Sequence, residues 1–497
     1  MSLMSTEEKN HSRLLFEIST LTWFLFSFCI AMIFNLNAVS DSEYDQKRFV
    51  QFSIFLVLCL DLIFRQDVRK ELSAAWAIMP LPAQTTVILV IILGAISSFF
   101  CPFPKHAFQE WSSICCLLFL TLYLSTRLSS SATQKIVLAA LGVIFFLYAW
   151  RCLAGTYIPS WTLLGAVGGP DQFIGISNRR FLNQLQSWTI PLLAVLPIFF
   201  SPIIVIRHRW VLWLPGILSW LLLFASDGRG VLLGSIAGAA VVLSLHGRTC
   251  LTWIKVYLSM ALAGFALYQT LFFWIPRIFD AGTSSLSVSE RLVDGTLSNR
   301  EGLWRLAWQF AQDNPILGIG PHQFARLEIG AIATHPHSAP LQWMSEWGMV
   351  SFALVAMLMI WGAIEWVRFS KTSQMNLPAE QSVIIFAITA SLIAGSVHSL
   401  VSGIIVMPFS QLMMALVIGW ALGLFHASKT PLIAEQRAAE SQRYLPTFLV
   451  VFLTGILIAT SYPEFLMVDE RTKQFFEKHP QQGTLHPRFW NQGLNGW

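Results

Sequence analysis

Charge is what these 497 residues lack most: Asp, Glu, Lys and Arg together make up 12%. Soluble domains carry about twice that share, roughly 25%, so a solvated surface over most of the chain is excluded. The charges nearly balance, at a formal +5, and no block of Lys and Arg stands out. Nucleic acid is therefore not an expected partner. Cysteine is sparse and scattered: the seven lie mostly in apolar runs, such as Cys29, Cys59, Cys115 and Cys116. Their spacing fits neither a zinc site nor a disulfide framework. Cys101 and Cys152 fall in loops within reach of pairing, but free thiols are expected. Internal repeats and low-complexity tracts are absent too, which argues against transporter folds built from inverted repeats. The first apolar run, Leu14 to Leu36, is long for a signal sequence and has no small-residue cleavage site after it. It reads as a retained anchor.

What is present is apolar. Hydrophobic residues make up 55%, with 20 Trp and 38 Phe, and this composition indicates an all-α polytopic membrane protein. Thirteen segments read as transmembrane helices: 14–36, 50–64, 85–100, 112–126, 136–150, 185–206, 210–226, 230–246, 253–275, 349–367, 382–400, 411–426 and 447–462. With the N-terminus inside, the inner segments hold 16 Lys and Arg and the short outer loops hold 4 (Lys47, Arg48, Lys105 and Arg229). The positive-inside rule favours that orientation. Three long segments then lie outside: 151–184, 276–348 between spans nine and ten, and the tail 463–497. The chain divides into 1–150, the first five spans; 151–426, a core that includes loop 276–348; and 427–497, the last span and tail.

Arginines gather on the outer face, against the charge bias. "SNRRFLNQLQSW" puts Arg179 and Arg180 where the chain re-enters the membrane. Interfacial snorkelling accounts for such residues, and so does an anion site. "SDGRGVLLG" puts Arg229 between two glycines in a short turn. A plain polar turn is the bland account. The sharper one is a guanidinium fork for phosphate oxygens, with glycines allowing close backbone approach. In loop 276–348, residues 300–312 show a helical apolar period and "DNP" breaks it. "GIGPHQF" lacks the third glycine of a dinucleotide fingerprint and reads as a structural turn. "THPHSAPLQWMSEWG" then puts Ser338 where it can cap a helix from Ala339, with His337 just before it. His337 has the chemistry of a base for an attacking hydroxyl. A structural histidine is the alternative; a metal ligand is disfavoured because no carboxylate has ligand spacing to it. Several arginines with one histidine suit attack by a hydroxyl on a sugar diphosphate. A transporter of an anionic substrate is the competing class, with Asp61, Glu365 and His398 as the few intramembrane ionisable groups.

At these residues the sequence resembles the superfamily of O-antigen ligases, O-antigen polymerases and protein O-oligosaccharyltransferases. Arg229 and Leu233 fit its R-x3-L turn. His337, Ser338 and Gly348 fit H-[NSQ]-x9-G-x-x-[GTY], while Ser351 departs at the last position. Arg179–Arg180 after Asn178, and "NREGLWRLAW" with "NPILGIG", match more loosely. The resemblance covers roughly 150–425 and implies a membrane glycosyltransferase fold in a bacterial inner membrane, with its active site on the periplasmic face. It implies an undecaprenyl-diphosphate-linked glycan donor and inverting, metal-independent transfer without a cofactor. It implies that His337 is the base and that Arg229 and Arg180 bind diphosphate, with Arg179 and Arg300 as further candidates. The outside, aromatic tail "HPRFWNQGLNGW" is similar to protein O-oligosaccharyltransferases, whose acceptors are pilins and other periplasmic proteins; a lipid A core or a growing polymer is the alternative acceptor.

Overall fold

The computed structural model describes residues 19–158, 166–167, 173–202, 204–278, 282–283, 300–326, 333–374, 379–428, 444–480 and 486–495. Residues 14–18 of the first expected span lie outside these, as do the inner basic residues Lys9, Arg13, Lys429, Arg437 and Arg443. The fold is helical. The principal helices are α1 Ser19–Ile33, α2 Glu43–Phe64, α3 Gln66–Ile78, α4 Leu81–Phe100, α5 Pro104–Arg127, α6 Ser131–Cys152, α7 Arg179–Leu193 and α8 Leu214–Ala225. They continue as α9 Arg229–His246, α10 Leu251–Gln269, α11 Arg300–Asp313, α12 Ala339–Gln374, α13 Ala379–Ser399, α14 Pro408–Ser428, α15 Leu445–Ser461 and α16 Val468–Lys478. One two-residue parallel pair, Ala166–Val167 with Gly282–Thr283, is the only β-ladder among the described residues.

Each of the thirteen expected segments falls on a helix. Among the described residues, eight helical runs are long and apolar enough to cross a membrane, or nine if the pair α2–α3, bent by 105° at Arg65, is one span. One of the eight, Arg229–Ile278, holds two expected spans and is broken at Gly247, whose φ of 57° ends α9. The expected continuous span 185–206 is instead α7 followed by a short helix, Leu196–Phe200. Pro191 and Pro197 each remove a backbone donor there. Large apolar side chains such as Phe99, Phe100, Leu262 and Ile360 stay exposed, as lipid-facing positions do. The protein is a multi-pass membrane protein.

Small residues decide which helices touch. Gly230, Gly234 and Gly238 repeat every four residues along one face of α9. A Cβ at Gly234 would lie 2.6 Å from the Ala394 carbonyl oxygen, and one at Gly238 2.7 Å from that of Ala390. The two helices therefore meet backbone to backbone, the arrangement that drives association without a hydrophobic effect. The same stripe brings Gly230 against the ring of His398 on α13. The first turn of α9 is fixed beside α13 in consequence.

One end of the bundle, the end of His337, is closed by packed loops. α12 is interrupted at Gly348, which has a φ of 85°. The break releases the carbonyls of Ser345 and Glu346, which accept from the N–H groups of Ile319 and Gly320 at 2.8 and 3.0 Å. "GIG" is thus a docking turn. The segment 486–495 packs into the same end. Arg488 is fully buried; Nε donates to Glu110 at 2.8 Å and Nη2 to both Glu110 and Glu346. Burial by itself would lower the Arg488 pKa, but the two carboxylates outweigh it and hold the guanidinium above its ordinary value. Removing one member of such a set strands the others. Glu346→Ala is expected to cost about 3–5 kcal/mol, and Glu346→Gln less, since it retains an acceptor. Thermal unfolding in detergent measures both; equal loss would show that the charge, not the hydrogen bonding, matters.

Candidate active site

Three arginines and a histidine come together at helix starts. Asn178 caps α7 by accepting from the Arg180 N–H at 2.9 Å, so Arg180 sits in the first turn. Arg229 opens α9, and Arg300 is the first described residue of α11. His337 lies two residues before α12. Helix starts carry unsatisfied N–H groups and partial positive charge, and three guanidinium groups add to it. The side chains are mutually close: Arg180 and Arg229 both act on Arg300, whose pKa is lowered by burial and then by those two charges. None of Arg180, Arg229 and Arg300 makes an ion pair with a described residue.

His337 is held in a left-handed conformation, φ 53°. For a non-glycine residue that is strained, by an amount of order 1–3 kcal/mol. The surroundings impose it. Its backbone N–H donates to His335 Nδ1 at 3.2 Å. Trp304 Nε1 donates to the Pro336 carbonyl at 3.0 Å. The His335 ring is buried and packs so closely on Gly403 that a Cβ there would lie 2.2 Å from it. With Nδ1 accepting, neutral His335 carries its proton on Nε2. The pKa of His335 is held well below the ordinary range by burial, then by His337, Arg488 and Arg300. That of His337 is pushed down to about 4 by burial, then by Arg300 and Arg180. A free imidazole facing arginines is neutral at neutral pH and has a lone pair to offer.

The turn before Arg229 is held from α7. Ser226 Oγ donates to Asn183 Oδ1 at 2.6 Å, and a Cβ at Gly228 would lie 2.7 Å from the same oxygen. On the other side, His398 touches Gly230, and its Nδ1 is 2.7 Å from Ser187 Oγ. Asp61 and Glu365, the other intramembrane candidates, are engaged locally. Asp61 accepts from Thr20 and lies 3.8 Å from Arg65, and Glu365 pairs with Arg368 at 2.7 Å. They form no relay. All seven cysteines, Cys101 and Cys152 among them, are free.

Residues 214–356 match the family model for O-antigen ligase. Over that stretch the chain is similar to O-antigen ligases. The matched residues include Arg229, Arg300 and His337, whereas Arg180, His398 and Arg488 come from outside them. Members of that family are glycosyl-transferring enzymes that work in a membrane context on lipid-linked glycans. A search of curated proteins finds no match. Ser351, where the sequence departs from the motif resembled, is buried and accepts from Trp343 Nε1 at 3.0 Å. Ser351 thus ties the two parts of α12 together across the break at Gly348. Sequence reasoning passed over the Ser187–His398 pair and the Arg488 cage. The only signal for the first was the four-residue glycine period that begins at Gly230.

Proposed function

We propose that the protein transfers a glycan from an undecaprenyl-diphosphate donor to a hydroxyl of a periplasmic protein. The observation that carries this is that Arg300 and Arg180 act on the neutral imidazole of His337, with Arg229 acting on the same Arg300. The arginines take the diphosphate oxygens by charge-assisted hydrogen bonds. The acceptor oxygen attacks the anomeric carbon while His337 takes its proton. The bond from that carbon to the diphosphate breaks, and undecaprenyl diphosphate leaves with the electron pair, stabilised by the arginines. Attack opposite the leaving group inverts the anomeric centre. Arg180, Arg229 and Arg300 supply the positive charge that a metal would otherwise bring. The protein acceptor is favoured by the packed segment 486–495, which lies at the same end as His337; a structured outer tail is the feature in which the sequence resembles protein O-oligosaccharyltransferases.

The test is direct. Purified protein is incubated with lipid-linked glycan and with pilin or lipid A core, with and without a chelator. Glycan on a pilin Ser or Thr, unchanged by chelation, is expected. Sugar on lipid A core alone would select the ligase alternative, and lengthening of the glycan itself the polymerase. Transfer abolished by chelator and restored by a divalent ion would end the metal-independent mechanism.

The pH dependence has a definite sign. In the donor-free protein His337 loses its proton near pH 4, so it is already a competent base under mildly acid conditions. kcat/KM reports the free enzyme and should stay level from neutrality down to roughly pH 5. A bound diphosphate puts negative charge beside the same arginines and favours the imidazolium. The acid limb of kcat should therefore lie at higher pH than that of kcat/KM. A kcat/KM that falls through the ordinary histidine value, about 6.5, would contradict the burial argued here.

A further inference from the structure

We infer that the segment 486–495 is part of the transfer site, and that Arg488 is a positioning residue for the turn that carries His337. The inference rests on the function proposed above.

Arg488 holds the chain on both sides of the two histidines. Its Nη1 donates to the Thr334 carbonyl at 3.2 Å, immediately before His335. Its Nη2 donates to Glu346, in the helix segment that His337 leads into. With the Gln342 amide turned so that its oxygen faces the guanidinium, that oxygen accepts from Nη2 at 2.8 Å and Nη1 at 3.1 Å. The neighbouring residue repeats the grip in reverse: Thr334 Oγ1 donates to the Pro487 carbonyl at 2.9 Å. The segment is itself anchored through its backbone. Arg48 Nε donates to the Phe489 carbonyl at 2.9 Å, the Asn491 N–H donates to Asp45 at 2.7 Å, and the Asn495 N–H donates to the Ala325 carbonyl at 2.8 Å.

This arrangement answers a question of cost. A left-handed histidine persists only where its surroundings over-determine it. Trp304 and Gly403 constrain the turn from two sides. Arg488 and Pro487 constrain it from the third. A guanidinium suits this work because its planar fork reaches two carboxylates and a carbonyl at once, which an ammonium cannot do. Arg488 touches neither His337 nor the space in front of it; its effect on transfer passes through the position of the turn.

Three variants test this: Thr334→Val, Arg488→Lys and Arg488→Gln. Misplacement of a catalytic group by about 1 Å can cost on the order of 10²-fold in rate. kcat should fall a few-fold in Thr334→Val and on the order of 10–100-fold in Arg488→Lys, and furthest in Arg488→Gln. The donor KM should not move, because Arg180, Arg229 and Arg300 are untouched. A merely structural role would lower stability and donor binding together and would leave kcat per folded molecule unchanged. That result, or normal kcat in both Thr334→Val and Arg488→Lys, overturns the inference, even if Arg488→Gln does not accumulate. A second readout needs no glycan. Modification of His337 by diethyl pyrocarbonate, mapped by peptide mass spectrometry, should change several-fold in rate in Arg488→Lys. An altered rate in a protein that transfers no glycan would sink the proposed function and spare the positioning role. An unaltered rate with normal kcat would do the reverse.

Discussion

His337→Ala is expected to cut kcat about 10²–10⁴-fold, the usual worth of a general base, while donor binding survives. The two effects separate because of where the side chain sits. The imidazole is neutral before the donor arrives, so it contributes little attraction to a diphosphate. Its contribution comes when the acceptor oxygen begins to lose its proton, and so falls on the transition state. Binding of a lipid-linked donor and glycan transfer must be measured separately on the same preparations. His335→Ala is the informative companion. His335 accepts the His337 N–H and fills the space beside Gly403, so its loss should relax the turn and weaken transfer less than loss of the base. Normal transfer by His337→Ala, with His335→Ala inactive, would move the base to His335. Normal transfer by both would make the stretch structural.

Arg229→Ala should fail differently. A hydrogen bond to a charged group contributes about 1.5–3 kcal/mol, which is about 10–150-fold in affinity. Ground state and transition state both carry the diphosphate, so donor binding and kcat/KM should fall together. Arg229→Lys should restore only part, because an ammonium has no planar fork. The geometry adds a control that the sequence did not offer. Arg180 and Arg229 both act on Arg300. Arg180→Ala should therefore weaken donor binding more than Arg179→Ala does. If Arg179→Ala were the weaker binder of the two, the helix start at Asn178 would be presenting the other arginine.

The candidate site could be proposed from sequence because its parts are local. An arginine between glycines, or a histidine before a capping serine, can be read from a few adjacent residues. The helices were legible as apolar runs for the same reason. What was not legible depends on partners far apart in sequence. The break of the expected span 185–206 follows from two prolines within a run that is otherwise long enough. The amphipathic helix α3 follows from a bend at Arg65 that hydropathy does not mark. His398 looked like an isolated intramembrane histidine until the α9 glycines brought it against Gly230. Arg488 looked like one more basic residue of an outer tail, because Glu110 and Glu346 are 378 and 142 positions away.

That separation bears on how the molecule is made. The chain is inserted in order, and Glu110 and Glu346 reach their places before residues 486–495 have been translated. Until that segment arrives, two carboxylates face each other without their cation and the histidine turn has no third support. The contact that closes this end of the bundle thus forms after both carboxylates are in place, and it joins segments far apart in the sequence. Such a fold does not mature piece by piece: a nascent chain that has passed residue 356, the last of the stretch similar to O-antigen ligases, still lacks Arg488. On the function proposed above, the ordering would tie competence to the arrival of residues 486–495.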